Sequence, residues 1–305
     1  VNINMLRDAD NDAGFYAAAC ASDPTATWRG AILYVSVDDG ANFRTLATIA
    51  SESTMGATTN ALGNFLSGNI PDELNSVNVR LSNGSLSSTD ANGLLAGTNA
   101  AVIGDEIVWF RDATLQADGS YTLRGFLRGR RGSEYAMAAH SAGERFILVN
   151  ASTMVRIPQE TADIGIERLY KGVSSGRSLA STTAQAFTNL GVGLMPYAPV
   201  HLGGGRDGSN NVTLTWVRRS RIDGGWRNNV DVPLGESSES YVVEIYSDNT
   251  YATVLRTIEG ITSQTTTYTA AQQTSDGLTP GDPVFFKVYQ LSATVGRGHA
   301  ASGSV

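Results

Sequence analysis

The sequence predicts an all-β chain made of antiparallel sheets, and three observations carry that expectation. Runs alternating between the two faces of a strand recur at residues 32–37 (ILYVSV), 77–81 (VNVRL), 106–110 (EIVWF) and 212–216 (VTLTW). Turn signals separate such runs, among them Asp38-Asp39-Gly40 and Ala117-Asp118-Gly119-Ser120. Composition agrees: 33 glycines stand against 8 prolines, Ser, Thr and Asn recur throughout, and long helical patterns are few. Alternation at period two places one face of a strand on a core, and turn residues bring neighbouring strands back to back. A length of 305 residues suits two or three domains, each with its own core. The boundaries fall at 1–150, a β-rich domain; 151–198, connector strands ending in a proline hinge; and 199–305, a second β domain.

Taken in order, residues 7–14 (RDADNDAG) look like a calcium loop until the spacing is counted. An EF-hand requires Gly at the sixth position and Glu at the twelfth, where Ala13 and Ala19 stand. A solvated acidic turn before a strand is the leading reading, with a calcium site of another type near Asp8–Asp12 as the alternative. Cys20 sits alone in an apolar run, so no internal disulfide forms and a buried, inert thiol is expected. Residues 28–47 form a hairpin, turning at 38–42. Residues 36–43 (SVDDGANF) also fit a loose Asp-box, found once, with Asp38 accepting backbone N–H groups and no catalytic role. Residues 82–97 make a polar loop with one helical turn at 92–95, and strands follow at 106–110 and 121–124.

Several function classes are disfavoured. A formal charge of −7 argues against gripping nucleic acid, which needs a basic face. His140, His201 and His299 lie in three separate regions, with no zinc spacing and no Gly-x-Ser-x-Gly elbow. The carboxylate pairs Asp8/Asp10 and Asp38/Asp39 sit in turns. No catalytic residue, cofactor or metal is therefore assigned. No apolar stretch approaches the roughly 20 residues of a bilayer span, and no secretory leader opens the chain. Val1 in place of Met suggests a fragment or processed product.

The most unusual stretch is 123–149, LRGFLRGRRGSEYAMAAHSAGERFILV. Arg124, Arg128, Arg130 and Arg131 alternate with Gly125, Gly129 and Gly132. Glycine lets the backbone turn sharply, and arginine supplies a rigid charged fork. A buried, unpaired arginine costs several kcal/mol, and Glu134 and Glu144 are the local carboxylates that could pair with Arg130 and Arg131. His140 reads as a hydrogen-bonded structural histidine. Either the segment is a loop pinned by Arg–Glu pairs, or it is a docking surface toward another subunit.

This segment resembles the signature of siphophage tail-tip (host-specificity) proteins and their gene-transfer-agent relatives. In that family a Leu-Leu-Arg-Gly-Arg-Arg-Gly-Thr-Glu run precedes a His and a Gly-Glu-Arg-Phe. Here Phe126 replaces the first Leu and Ser133 the Thr. The FYAAA segment, the WRGAILY and DDGANF hairpin and the LLAGTNAAVIGDEIVWFRDA run come in the family's order. Farther on, residues 167–173 could form a strand, and the ERLYKGVSSGRSL segment leads to Pro196-Tyr197-Ala198-Pro199, a hinge stiffened by two prolines.

Residues from about 200 onward resemble a fibronectin type III domain. Trp216 lies on an inner strand, residues 241–246 give the next, and LTPGDPVFFKV (278–288) leads into the sixth. Val284 stands where the pattern has a corner Tyr, so that hydrogen bond is expected to be missing. Residues 218–239 are an insertion with Arg218, Arg219, Arg221, Trp226 and Arg227, nearly balanced by Asp223, Asp231, Glu236 and Glu239. The tail-tip family has a similar stretch, which suggests a family-specific hairpin packed on neighbouring protein.

The resemblance implies a non-enzymatic structural part of a phage or phage-like tail tip, the C-terminal part of a larger hub. It implies a homotrimer in the virion, assembled in the bacterial host cytoplasm, contacting distal-tail and tail-fibre proteins and a host receptor or glycan. DNA passes nearby without specific binding, and no membrane is spanned. Candidate interface residues are Arg124, Arg128, Arg130, Arg131, Glu134, Arg218, Arg219, Arg221, Trp226 and Arg227. The alternatives are a carbohydrate-binding accessory module of a depolymerase or glycosidase, acting through Trp28, Trp226 or nearby Tyr residues, and a cell-surface adhesin.

Overall fold

The computed structural model describes residues 1–21, 23, 27–66, 69–225 and 228–305 and is all-β, with antiparallel sheets. The chain divides into two compact units: Val1–Leu6 with Asp12–Gly193, and Arg7–Asn11 with Leu194–Val305.

In the first unit the strands are β1 (Phe15–Ala17), β2 (Ala31–Ser36), β3 (Arg44–Ile49), β4 (Met55–Thr58), β5 (Val77–Asn83), β6 (Ala100–Ile103), β7 (Glu106–Leu115), β8 (Tyr121–Leu127), β9 (Arg145–Leu148), β10 (Val155–Ile157), β11 (Glu167–Ser174) and β12 (Gln185–Thr188). One short helix, α1 (Ala91–Leu95), is capped by the Asp90 carboxylate on the Gly93 N–H.

Strands β4, β5, β8, β7, β6 and β9 close in that order into a barrel. Closure leaves these strands without free edges. Ala101, Ile103, Val108, Phe110, Leu123, Phe126 and Phe146 fill the interior. The alternate residues Val102, Ile107 and Ile147 pack on the outside with Ile3, Tyr16 and Met154. Because β6 and β9 are buried on both faces, their sequences read as unbroken apolar runs instead of alternating. The wall shifts register between Met55 and Gly56, where a Cβ on Gly56 would lie 2.1 Å from the Arg80 carbonyl oxygen. Only glycine allows so close a crossing.

A second sheet has the order β12-β11-β2-β3, and β1 pairs with β10. Residues 151–198, expected as a connector, thus supply β10, β11 and β12, and β11 pairs with the N-terminal hairpin strand β2. Phe15, Val35, Ile157 and Tyr170 form the core here, with Phe15 edge-on to Tyr170 at 5.7 Å. At the β2–β3 turn the Asn42 N–H donates to Asp38 Oδ1 at 2.9 Å, as the turn chemistry predicts. Bonds from the Asn42 side chain, the Asn42 backbone and Ser36 push the Asp38 pKa down to about 2. Cys20 is half-buried, short of the full burial expected, and burial together with Glu52 raises its thiol pKa. Asp12 pairs with Arg156.

In the second unit β13 (Val200–Arg206), β14 (Val212–Val217) and β17 (Thr265–Tyr268) form one sheet. The other has the order β16 (Val254–Ile261), β15 (Tyr241–Tyr246), β18 (Phe285–Ser292), β19 (Gly296–Ser304). This three-plus-four division is the fibronectin type III arrangement. A capped helix, α2 (Ala270–Ser275), follows β17. Val212, Leu214 and Trp216 alternate inward against Tyr241, Val243, Ile245, Phe286 and Val288, and Trp216 meets Tyr241 edge-on at 5.2 Å. Val284 is buried, and its backbone exchanges two hydrogen bonds with Val305.

Three expectations are corrected in this unit. Residues 218–239 contain no strand among the described residues, so the insertion is a pinned loop and not a hairpin. Asp10 is not solvated: it is buried and pairs with Arg7 at 2.8 Å. The Pro196–Pro199 stretch belongs to the packed unit, since Tyr197 is buried beneath the Arg219 guanidinium and the Pro196 carbonyl accepts the His299 N–H at 3.0 Å.

Candidate functional site

The Arg-Gly segment begins where β8 ends. Arg128, the first residue past β8, turns into the barrel end, and its side chain is wholly excluded from solvent. Its Nη2 donates to Glu106 Oε2 at 2.8 Å, its Nε to Glu106 Oε1 at 2.9 Å, and its Nη1 to Asp72 Oδ2 at 3.0 Å. Nη1 also donates to the Gly63 carbonyl at 2.8 Å. Glu106 and Asp72 are likewise fully buried. Charges out of water persist only when paired and hydrogen-bonded, and this cluster meets that demand from both sides.

The backbone after Arg128 completes the cage. Gly129 (φ 58°, ψ 33°), Arg131 (φ 56°, ψ 30°) and Gly132 (φ 81°, ψ 14°) are left-handed, with Arg130 between them. Alternation of this kind gathers N–H groups into a concavity suited to anions. The Gly129 N–H donates to Glu106 Oε1 at 2.6 Å, so the chain's own carboxylate is held there. A Cβ on Gly129 would lie 2.7 Å from Glu134 Cγ.

His140 adds a second cation. Its Nε2 lies 2.7 Å from Glu106 and its Nδ1 2.7 Å from Glu144. Burial disfavours the charged ring, but the Glu106 and Glu144 carboxylates outweigh it and raise the His140 pKa above its usual value. Burial likewise disfavours the Glu106 carboxylate, and His140 and Arg128 overcome it and lower the pKa. With both nitrogens engaged, the ring offers no free lone pair to a substrate. Beside it opens a cleft of about 370 Å³ lined by Gly104, Tyr135, Ala139, His140, Glu144 and Arg145, among others.

These positions correct part of the sequence reading. Arg128 is an interior key and cannot face a partner. Glu144 was expected to pair with Arg130 or Arg131 but accepts from His140 and from the Ser141 N–H. The carboxylates that do take the buried arginine, Glu106 and Asp72, lie outside the segment. The one available signal was a Glu opening the apolar strand EIVWF. Arg130 stacks over Trp109 at 4.3 Å and donates to Asn69 at 3.2 Å. Glu134 is half-buried beneath Gly129, while Arg124 and Arg131 are exposed.

In the second group of candidates, Arg218 and Arg221 are used within the insertion. Arg218 pairs with Asp231 at 2.6 Å and donates to the carbonyls of Val232 and Pro233. Arg221 is buried against Glu236 at 2.9 Å and also donates to the Gly235 carbonyl. Arg219 lies over Tyr197 at 5.2 Å. Trp226 and Arg227 lie outside the described residues. Among the described residues no three His, Cys, Asp or Glu gather as a metal site, and no described helix is long and apolar enough to cross a membrane.

Residues 53–147 match the model of the family described as Rcc01698-like, C-terminal. That match runs from just before β4 into β9, which is the barrel with its ionic cluster. No curated protein matches the chain. Among solved structures, domains d3–d4 of the rat CD45 extracellular region align at 13% identity over 47% of this chain and 64% of that one, with a TM-score of 0.25. This chain therefore spans less than two thirds of that structure's length. The central fibronectin-III array of RIM-binding protein aligns at 13% identity over 82% of this chain and 68% of that one, with a TM-score of 0.20.

Proposed function

We propose that this chain is a non-enzymatic structural component of a phage or phage-like tail tip, working in the virion as part of a trimeric hub. The reading rests on the Arg-Gly segment and on how it is built. Arg128 locks the segment into the barrel end, while Arg124 and Arg131 remain exposed on rigid backbone. Exposed forks on a preorganised surface suit carboxylates of a neighbouring tail protein. Distal-tail or fibre proteins are the partners proposed for that surface, with the C-terminal sandwich directed toward a receptor or glycan.

The test is the double substitution Arg124→Ala with Arg131→Ala in the particle-producing host. Loss of assembled particles with unchanged thermal unfolding of the isolated chain supports the reading. Normal infectious particles overturn it.

A second reading, a carbohydrate-binding module, is favoured by one observation. Trp28, Arg29, Asp23 and Arg177 line a cleft of about 450 Å³, an aromatic and polar mix suited to a sugar ring. A glycan array with a Trp28→Ala control decides whether that cleft binds carbohydrate.

A further inference from the structure

Both ring nitrogens of His140 face carboxylate oxygens at 2.7 Å, from Glu106 on one side and Glu144 on the other. A neutral imidazole carries one N–H and one lone pair. It can satisfy one of these carboxylates but turns its lone pair on the other. The geometry therefore requires the doubly protonated ring, and loss of one proton must break one of the two contacts.

Which contact breaks follows from the surroundings. Glu106 is fully buried, also holds Arg128 and the Gly129 N–H, and cannot turn to water. The Glu144 side chain keeps 19% of its exposure and can. The remaining N–H thus stays on Glu106, and Glu144 is released. The Glu144 carboxylate also accepts the Ser141 N–H at 3.0 Å and so orders the 140–144 turn, while the Glu144 backbone N–H donates to Thr58 Oγ1 at 3.1 Å and ties the turn to β4. The neighbouring Gly143 N–H donates to the Thr58 carbonyl at 2.8 Å.

We propose that His140 is a proton-operated latch: protonated, it clamps the Glu144 side of the 140–144 turn over the cleft at the barrel end, and deprotonated, it releases the Glu144 carboxylate and loosens that turn, which its backbone bonds to Thr58 still tether. The groups facing it are Glu106 at the start of β7, Glu144 in the turn, and, through Glu106, Arg128 and Asp72. Tyr135, Asp105 and Arg145 line the same cleft. Asp105 and Arg145 pair with each other, and burial followed by the Asp105 charge pushes the Tyr135 pKa up to about 12. His140 is thus the group in this set whose ordinary pKa lies near neutrality, and its two carboxylate partners raise it. The latch concerns the same barrel end as the docking surface but does not depend on the tail-tip reading.

The test uses the intact chain. Imidazole ¹⁵N shifts of His140 are followed from pH 5 to 9 together with hydrogen exchange of the 137–145 peptide, corrected for intrinsic rates. The latch predicts that exchange protection falls about tenfold, the loss of one charge-assisted bond, at the midpoint of the ring titration. Glu144→Gln, which leaves the buried cluster intact, removes most of that pH dependence. A neutral ring at pH 5, or protection that stays level through the ring titration, overturns the proposal.

Discussion

Arg128 and Glu106 meet through three hydrogen bonds of 2.8, 2.9 and 3.1 Å, and neither side chain touches solvent. The arginine that sequence reading offered to a partner is the one that closes the barrel end. Removing it leaves buried Asp72 without its cation and Glu106 with His140 alone. Arg128→Ala is therefore expected to destabilise the chain by about 3–5 kcal/mol, whereas Arg124→Ala at an exposed site stays within about 0.5 kcal/mol. Urea denaturation of the two variants checks the contrast, and equal losses would contradict the burial of the cluster.

The left-handed backbone separates stability from docking. Arg131 holds φ 56°, a conformation that costs a side-chain-bearing residue about 1 kcal/mol relative to glycine. Arg131→Gly should leave thermal stability equal or higher while weakening any partner contact made by the guanidinium. Gly129→Ala should destabilise the chain by more than about 1 kcal/mol, because its Cβ meets Glu134 as well as an unfavourable φ. Thermal melts of both variants settle the sign.

In the second unit Gln290 faces the sandwich core from β18, fully buried, with neither amide atom hydrogen-bonded. An unsatisfied buried amide costs about 1–3 kcal/mol. Gln290→Leu should therefore raise the unfolding midpoint. A lowered midpoint would mean that buried water serves the amide in solution.

The insertion depends on Arg221. Its ion pair with Glu236 leaves each side chain only 6% exposed. Arg221→Ala should open residues 218–239 to limited proteolysis while the sandwich strands resist. Cleavage no faster than in the parent chain would show that Arg221 does not pin the loop.

The Glu106–His140 pair should contribute most to stability in mildly acid solution, whereas His299, held down to about 4 by burial and by Arg219, favours pH above the ordinary 6.5. The Glu106 pKa is depressed in the folded state, so its contribution is present above the ordinary 4.5 and is lost as pH falls through the lower folded value. The His140 pKa is raised, so its contribution is full below the ordinary 6.5 and is lost as pH rises through the higher folded value. The window between 4.5 and 6.5 holds both. The difference in denaturation midpoint between the parent chain and His140→Gln, measured from pH 3 to 9, tests it, and a difference that is largest at alkaline pH would contradict the cluster's charge states.

The strands were largely legible because alternation and turn chemistry act locally. The 212–216 run appears as β14 with its inward Trp216, and the turn built on Asp38 has the bonds that its residues imply. A second turn of the same design forms at Asp207, whose Oδ1 accepts the Asn211 N–H at 2.9 Å. Barrel closure was not legible, because it depends on pairings such as β4 with β9, about ninety residues apart in sequence. The ionic cluster was hidden for the same reason. Asp72, Glu106, Arg128 and His140 come from four separate segments, and nothing local marks Arg128 as the buried member of its run.

The central claim is that this chain joins tail proteins through the exposed face of the Arg-Gly segment. Cross-linking mass spectrometry of purified tailed particles, from the cells that encode the chain, tests it most directly. The account predicts that the chain is present in the particles and that residues 124–135 are cross-linked to another tail polypeptide. Particles that lack the chain, or that carry it with this segment uncross-linked and fully reactive to arginine reagents, would contradict it.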